Sequence, residues 1–269
     1  MRRVINLRPR RVSAFWLGVV PFLALALLYA SASQVRLAAN PNDKLLPSAE
    51  SLVQAVERVA TVPDRRSGKI ILWTDTWASL QRIVLGVAIA ALLGLALGTL
   101  LGLLPYAGAT LSPLVSVASM IPPLAVLPIL FIVFGLGELS KVVLVVIGIT
   151  PFLVRDTALR VQELPDEQLI KAQTLGANSW QIVLRVVLPQ ILPRLLDAVR
   201  LSLGAAWLFL IAAEAIAATD GLGYRIFLVR RYLAMDVILP YVAWITFLAF
   251  LFDLGLRHLG DRLSRWSAA

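Results

Sequence analysis

The sequence contains no cysteine and only one histidine, His258. Disulfides, thiol nucleophiles and metal sites built from Cys or clustered His are therefore excluded. No G-x-x-x-x-G-K-[ST] stretch occurs, so the chain has no phosphate-binding loop with which to hold and hydrolyse ATP. Charge is scarce as well: 15% of residues are Asp, Glu, Lys or Arg, while 59% are hydrophobic. A soluble domain carries about 45–50% apolar residues. The mean hydropathy of +0.83 and several apolar runs near the roughly 18–20 residues that cross a bilayer as helix make this a membrane protein. The short alternating strands of an outer-membrane barrel are missing. The fold class is all-α and polytopic, with residues 1–269 forming one transmembrane domain. The formal charge of +9 follows from Arg and Lys flanking membrane helices, so no nucleic-acid partner is expected.

Five arginines fall within residues 1–14, a basic tail that the positive-inside bias places in the cytoplasm. The apolar run 15–29 follows and is read as the first span. Its short length and the Ala30-Ser31-Ala32 triplet also fit a cleaved secretory signal. Residues 33–76 are more polar and read as an external segment. Within it, Ser48 caps a helix over 48–62 whose apolar positions recur at helical spacing, which fits a helix along the outer membrane surface and equally an ordinary soluble connector. Trp73 and Trp77 form an interfacial pair ahead of span two, 80–104. In that span Gly86, Ala90, Gly94, Gly98 and Gly102 recur every fourth residue, leaving one face open to close helix approach.

Residues 105–108 are expected to form a tight turn. The next apolar run, 110–134, carries prolines at 113, 122, 123 and 128, which predicts a helix broken near mid-membrane. Irregular backbone at such depth survives where it is buried in protein or lines a wet cavity. Met120, Pro122 and Pro123 are thus candidates for a translocation path, beside the reading of a purely structural kink. Spans four (141–154), five (195–219) and six (237–256) follow, and six spans from an inside N-terminus leave both termini in the cytoplasm. Glu214, an ionisable group late in span five, is a functional candidate because burying it is costly. The competing reading has it bonded to the Gly221–Gly223 backbone or paired with Arg225 or Arg230. Asp156 with Arg160, Asp253 with Arg257, and Asp197 with Arg200 are expected as local pairs.

Between spans four and five lies a polar island, 165–193. Pro165 and Asp166 start one helix, Gly176 supplies a sharp turn, and Asn178 or Ser179 caps a second helix ended by Pro189 and Pro193. The Ala172, Gly176 and Ile182 spacing also fits a DNA-binding helix-turn-helix. Flanking spans and few polar contacts argue for a knob that docks into another protein instead.

The run Ala172-x3-Gly176 ending in Val186-Val187-Leu188-Pro189 resembles the EAA loop of ABC-importer permeases. Ser79-Leu80-x-Arg82, the stretch Ile121-Pro122-Pro123-Leu124 to Pro128, Phe134-Gly135-Leu136-Gly137-Glu138, and Ala213-Glu214 with Gly221-Leu222-Gly223 look like the nitrate, sulfonate, taurine and bicarbonate branch. The resemblance spans about 79–262 and extends to the subgroup found with urea carboxylase. It implies a MetI-like type I importer fold in the bacterial inner membrane, with 165–193 as coupling loop. Glu167, Lys171, Ala172, Gly176, Ala177, Trp180, Leu188 and Pro189 would face the ATPase. Implied partners are an ATPase dimer that binds the ATP, a second copy of this chain and an extracytoplasmic solute-binding protein, in a lipid bilayer; no cofactor is implied for the chain itself. The cargo would be a small polar or anionic solute. One departure stands out: the family pattern has Glu-Ala where this chain has Ile170-Lys171. The alternatives are a secondary transporter using Glu214 and, more remotely, a membrane-tethered helix-turn-helix regulator.

Overall fold

The computed structural model describes residues 10–41, 43–65 and 67–264. Among these, eleven α-helices and one π-helical stretch follow in chain order. They are α1 (Arg11–Ala39), α2 (Ala49–Thr61), α3 (Ile71–Leu103), α4 (Pro105–Ala118), α5 (Pro123–Phe134), α6 (Glu138–Gln162), α7 (Asp166–Thr174), α8 (Ser179–Ile182), the π stretch (Val183–Val187), α9 (Leu188–Ala217), α10 (Leu222–Arg230) and α11 (Met235–Ser264). Five helices are long and apolar enough to cross a membrane, and the bent pair α4 and α5 makes six if it counts as one span.

The centre of the bundle is the α3–α6 pair, and its geometry follows from the glycines. A Cβ added at Gly86, Gly94, Gly98 or Gly102 would stand 2.8, 2.7, 2.5 or 2.5 Å from the Cβ of Val145, Leu153, Thr157 or Val161. Both partners advance four residues at a time, so two parallel helices stay in register over four turns, backbone to side chain. Around this pair α9 and α11 close the core through Ile149, Leu153, Ala206, Leu210, Tyr241 and Ile245.

Several sequence expectations shift. Residues 1–9 of the basic tail lie outside the described residues, and the helix already begins at Arg11. It runs on to Ala39, because Ser31, Ser33, Gln34 and Arg36 end the apolar run without breaking the helix. Helix α1 stands clear of the bundle, with none of its most apolar window buried. Among the described residues its side-chain ties lie in its C-terminal half: Tyr29 donates to the Pro47 carbonyl at 2.7 Å, Ser33 donates to Leu46 and Pro47, and Arg36 pairs with Asp43. The helix expected over 48–62 appears as α2, with Ser48 accepting from the Ser51 amide at 3.2 Å. Trp73 fixes it by donating to the Ala60 carbonyl.

The expected 105–108 turn is absent: Pro105 is the first residue of α4, where a missing N–H costs nothing. The proline break is present, with α4 and α5 meeting at 92°. Arg155 donates to Ser119 Oγ at 3.0 Å, and Arg155 lies roughly 26 Å along α6 from Glu138. The break therefore sits toward the far end of α6. Asp253 is taken by Arg200 of α9, at 2.9 Å, instead of by Arg257. Arg200 also holds Asp197 at 3.1 Å, and Arg160 reaches Asp156 at 3.7 Å, as the sequence suggested.

Candidate functional site

Two constellations stand out, one at each end of the α3–α6 pair. The first is a cluster of charges around Arg82, whose side chain is 3% exposed. Its Nε and Nη2 donate to Glu138 at the start of α6, its Nη1 to Glu214 of α9 at 2.8 Å and to the Asp220 carbonyl at 3.1 Å, and its Nη2 to Asp220 Oδ1. All the guanidinium faces are occupied, which is what a buried cation requires. Glu214 is fully buried. Besides Arg82 it accepts from Ser79 Oγ at 2.8 Å and from the Gly223 amide at 2.8 Å.

The turn after α9 is shaped by this carboxylate. Gly221 has φ +113°, and a Cβ there would meet Glu214 Cδ at 2.6 Å, so only glycine fits on both counts. The Gly221 amide donates to Asp75 and the Leu222 amide to Ser79. Asp75 in turn receives Arg225 at 2.7 Å and the Tyr241 hydroxyl at 3.3 Å. At this end of the bundle α3, α6, α9 and α10 are thus cross-linked by ion pairs and hydrogen bonds, and α11 joins them through the Tyr241 hydroxyl. Of the pairings expected for Glu214, the Gly223 backbone contact is present. The Arg225 and Arg230 pairings are not, because Arg225 is held by Asp75 and Arg230 lies over the Phe227 ring at 4.8 Å.

The second constellation is the polar island. Helix α7 ends at Gly176, φ +81°, where the Ala177 amide bonds back to the Ala172 carbonyl at 3.0 Å, a glycine-dependent helix stop. Asn178 and Gln181 form a reciprocal capping box on α8. Beneath, Leu169, Ala172, Ala177, Ile182, Val187 and Ile191 pack on Val161 and Leu164 at the end of α6. Among the predicted docking residues, Glu167, Lys171, Gly176, Trp180 and Pro189 are exposed, while Ala172, Ala177 and Leu188 are half-buried. Trp180 is 68% and Leu175 80% exposed, and Ile170 and Leu184 are exposed as well, so the island carries several large apolar side chains on its surface.

One sequence expectation fails here: Pro189 and Pro193 do not end the second island helix. From Ser179 to Ala217 the chain is one helical rod of 39 residues. The wider π turn just before Pro189 makes room for its ring beside the Arg185 carbonyl.

Met120 and Pro122 are exposed and Pro123 half-buried at the α4–α5 break. Glu214 is not brought together with them; it belongs to the Arg82 cluster. Sequence reasoning gave Arg82 and Glu138 no role beyond their places in motifs, and assigned none to Asp75 or Asp220. A usable signal existed, since Arg82 is a charge inside an apolar span.

A helical membrane bundle with a broken span, a locked charge cluster at one end and a rigid knob between spans at the other defines a transport permease. The chain belongs to the family described as binding-protein-dependent transport system inner membrane component, which it matches over residues 83–265. It is thus an inner-membrane permease subunit of an importer and not an enzyme. It is 40% identical over 195 residues to the taurine transport system permease protein of Escherichia coli K12, covering 72% of this chain and 71% of that protein. It is 33% identical over 149 residues to the nitrate import permease of Synechococcus elongatus, covering 55% and 53%. An inward-facing structure of the MetNI methionine ABC transporter shares the fold, with TM-score 0.62 and 23% identity over 70% of this chain and 93% of that one.

Proposed function

We propose that this chain, paired with a second copy, forms the translocation path of an ATP-driven importer for a small polar or anionic solute of the sulfonate, taurine or nitrate kind. The coupling loop 165–193 docks into the ATPase subunit through Glu167, Lys171, Gly176, Trp180 and Pro189, its exposed docking residues, and a solute-binding protein delivers cargo at the Arg82 end. The N-terminus, the C-terminus and the island face the cytoplasm. The observation that carries this reading is the island itself: a capped, glycine-stopped knob that exposes Trp180 and Leu175 while seated firmly on α6 and α9. An exposed apolar patch rimmed by polar residues marks a protein-binding surface. The similarity to the taurine permease supports the solute class.

In this reading Met120, Pro122 and Pro123 border the path and Glu214 is a fixed strut. Its carboxylate is saturated by Arg82, Ser79 and Gly223, which disfavours ion coupling by a secondary transporter. The test is co-purification with the ATPase, comparing wild type with Gly176→Trp, together with ATP-dependent taurine uptake in vesicles. Loss of association and uptake in the variant is expected. Unchanged association would overturn the docking assignment, and uptake without ATP would overturn the importer.

A further inference from the structure

The rod from the island into the membrane has one soft place. In the π stretch the Leu188 amide reaches back to the Val183 carbonyl, one residue further than in an α-helix. Two residues into α9 comes Pro189, and Pro193 follows four later. Neither has an N–H, so the ladder of helical bonds lacks two donors within the same turn and a half. A single π turn behaves as an α-helix carrying one extra residue, and a regular α-helix through this stretch would rotate everything before it by about 100°.

One side chain braces this place. Gln190 Nε2 donates to the Val186 carbonyl at 2.8 Å, inside the π stretch, and to Gln168 Oε1 of α7 at 3.0 Å. The same amide thus ties the weakened ladder to the first helix of the island. Within the stretch, Val187 and Ile191 are completely buried on α6, in the same cluster as Ile182 and the island residues Leu169, Ala172 and Ala177.

We infer that residues 183–193 are a hinge between the docking knob and span five, and that Gln190 is the positioning residue that sets its angle. The inference rests on the docking reading above. Motion of the knob is then not passed on rigidly. It is taken up in part by the π turn, and the Gln168–Gln190 contact decides how much reaches α9.

The absence of cysteine makes a direct test simple. Nitroxide labels at Thr174→Cys and Leu201→Cys, both exposed positions, straddle the joint. The distance between them is measured by pulsed electron resonance in the complex with the purified ATPase, without nucleotide and trapped with Mg-ATP and vanadate. A shift of at least about 3 Å on trapping, comparable to half a helical turn, is expected. In Gln190→Ala the resting distance distribution should broaden and the shift fall by half or more, with ATPase association retained. An unchanged distance on trapping would show a rigid lever and overturn the hinge. A shift unaffected by Gln190→Ala would overturn the role of Gln190. Failure of the wild-type chain to bind the ATPase would instead overturn the docking reading, and this inference with it.

Discussion

Arg82 and Glu214 lie 132 residues apart in the chain, yet their side chains meet at 2.8 Å in the interior, where the carboxylate has no exposure at all. Removing Arg82 leaves the buried Glu214 carboxylate without its counterion, which costs about 3–5 kcal/mol in comparable settings, whereas removing Glu214 leaves Arg82 paired with Glu138 and Asp220. Arg82→Met alone should therefore sharply lower the melting temperature of the detergent-purified permease, and Glu214→Leu should lower it less. Arg82→Lys should not rescue, since one ammonium cannot serve Glu138, Glu214 and Asp220 together. A melting temperature within a degree of wild type for Arg82→Met would show that the cluster does not hold the bundle.

The α3–α6 register predicts a graded response to added bulk. Gly98→Ala places a methyl 2.5 Å from Thr157 Cβ, with the Val154 carbonyl at 2.9 Å, so the helices must part. Overpacking of this kind costs about 1–3 kcal/mol, and Gly98→Leu should exceed it. Gly255→Ala, on α11 with nothing within 4 Å, is the contrast. Alanine is the better helix former by about 0.5–1 kcal/mol, so that variant should be neutral or slightly more stable. Thermal unfolding of the pair checks both signs.

The clasp that holds α1 should be acid-labile. The Arg36 guanidinium, aided by the Leu45 amide, holds the Asp43 carboxyl below the usual carboxylate range. A carboxylate depressed in the folded state contributes above its unfolded value, near 4, and loses that contribution as pH falls through the lower folded value. Protection of the Leu45 amide, which donates to Asp43 Oδ1 at 2.9 Å, should persist at neutral pH and vanish once Asp43 is protonated. Hydrogen exchange corrected for intrinsic rates measures this. Asp43→Asn should show low protection throughout, and equal protection in both proteins would refute the clasp.

What was legible in the chain was local. The period-four glycines, the Gly176 stop, the Asn178 cap and the α2 helix all declare themselves within a few residues, because each is a backbone requirement met by a neighbouring side chain. The Arg82 cluster was not legible: its carboxylates stand at 138, 214 and 220, and only packing decides which acid meets which base. The Arg200–Asp253 bridge escaped for the same reason. The continuous rod through Pro189 escaped differently. Proline normally ends a helix, and the π turn that accommodates it leaves no mark in composition.

Trp180 provides the sharpest test of the knob as a contact surface. It is 68% exposed and takes no part in the cluster beneath the island, whose core is Val161, Leu164, Ile182, Val187 and Ile191. Truncation should therefore leave folding intact, since surface changes away from caps and core stay within about 0.5 kcal/mol. Tryptophans at the centre of an interface, however, commonly account for about 2 kcal/mol or more of binding. Trp180→Ala should accordingly weaken association with the ATPase by about thirtyfold, with the melting temperature unchanged. Ile182→Ala, which empties the core under the same helix, should lower both together. Titration of the labelled ATPase against each variant in lipid nanodiscs separates the two. Wild-type affinity for Trp180→Ala would mean that the exposed ring is not part of the contact.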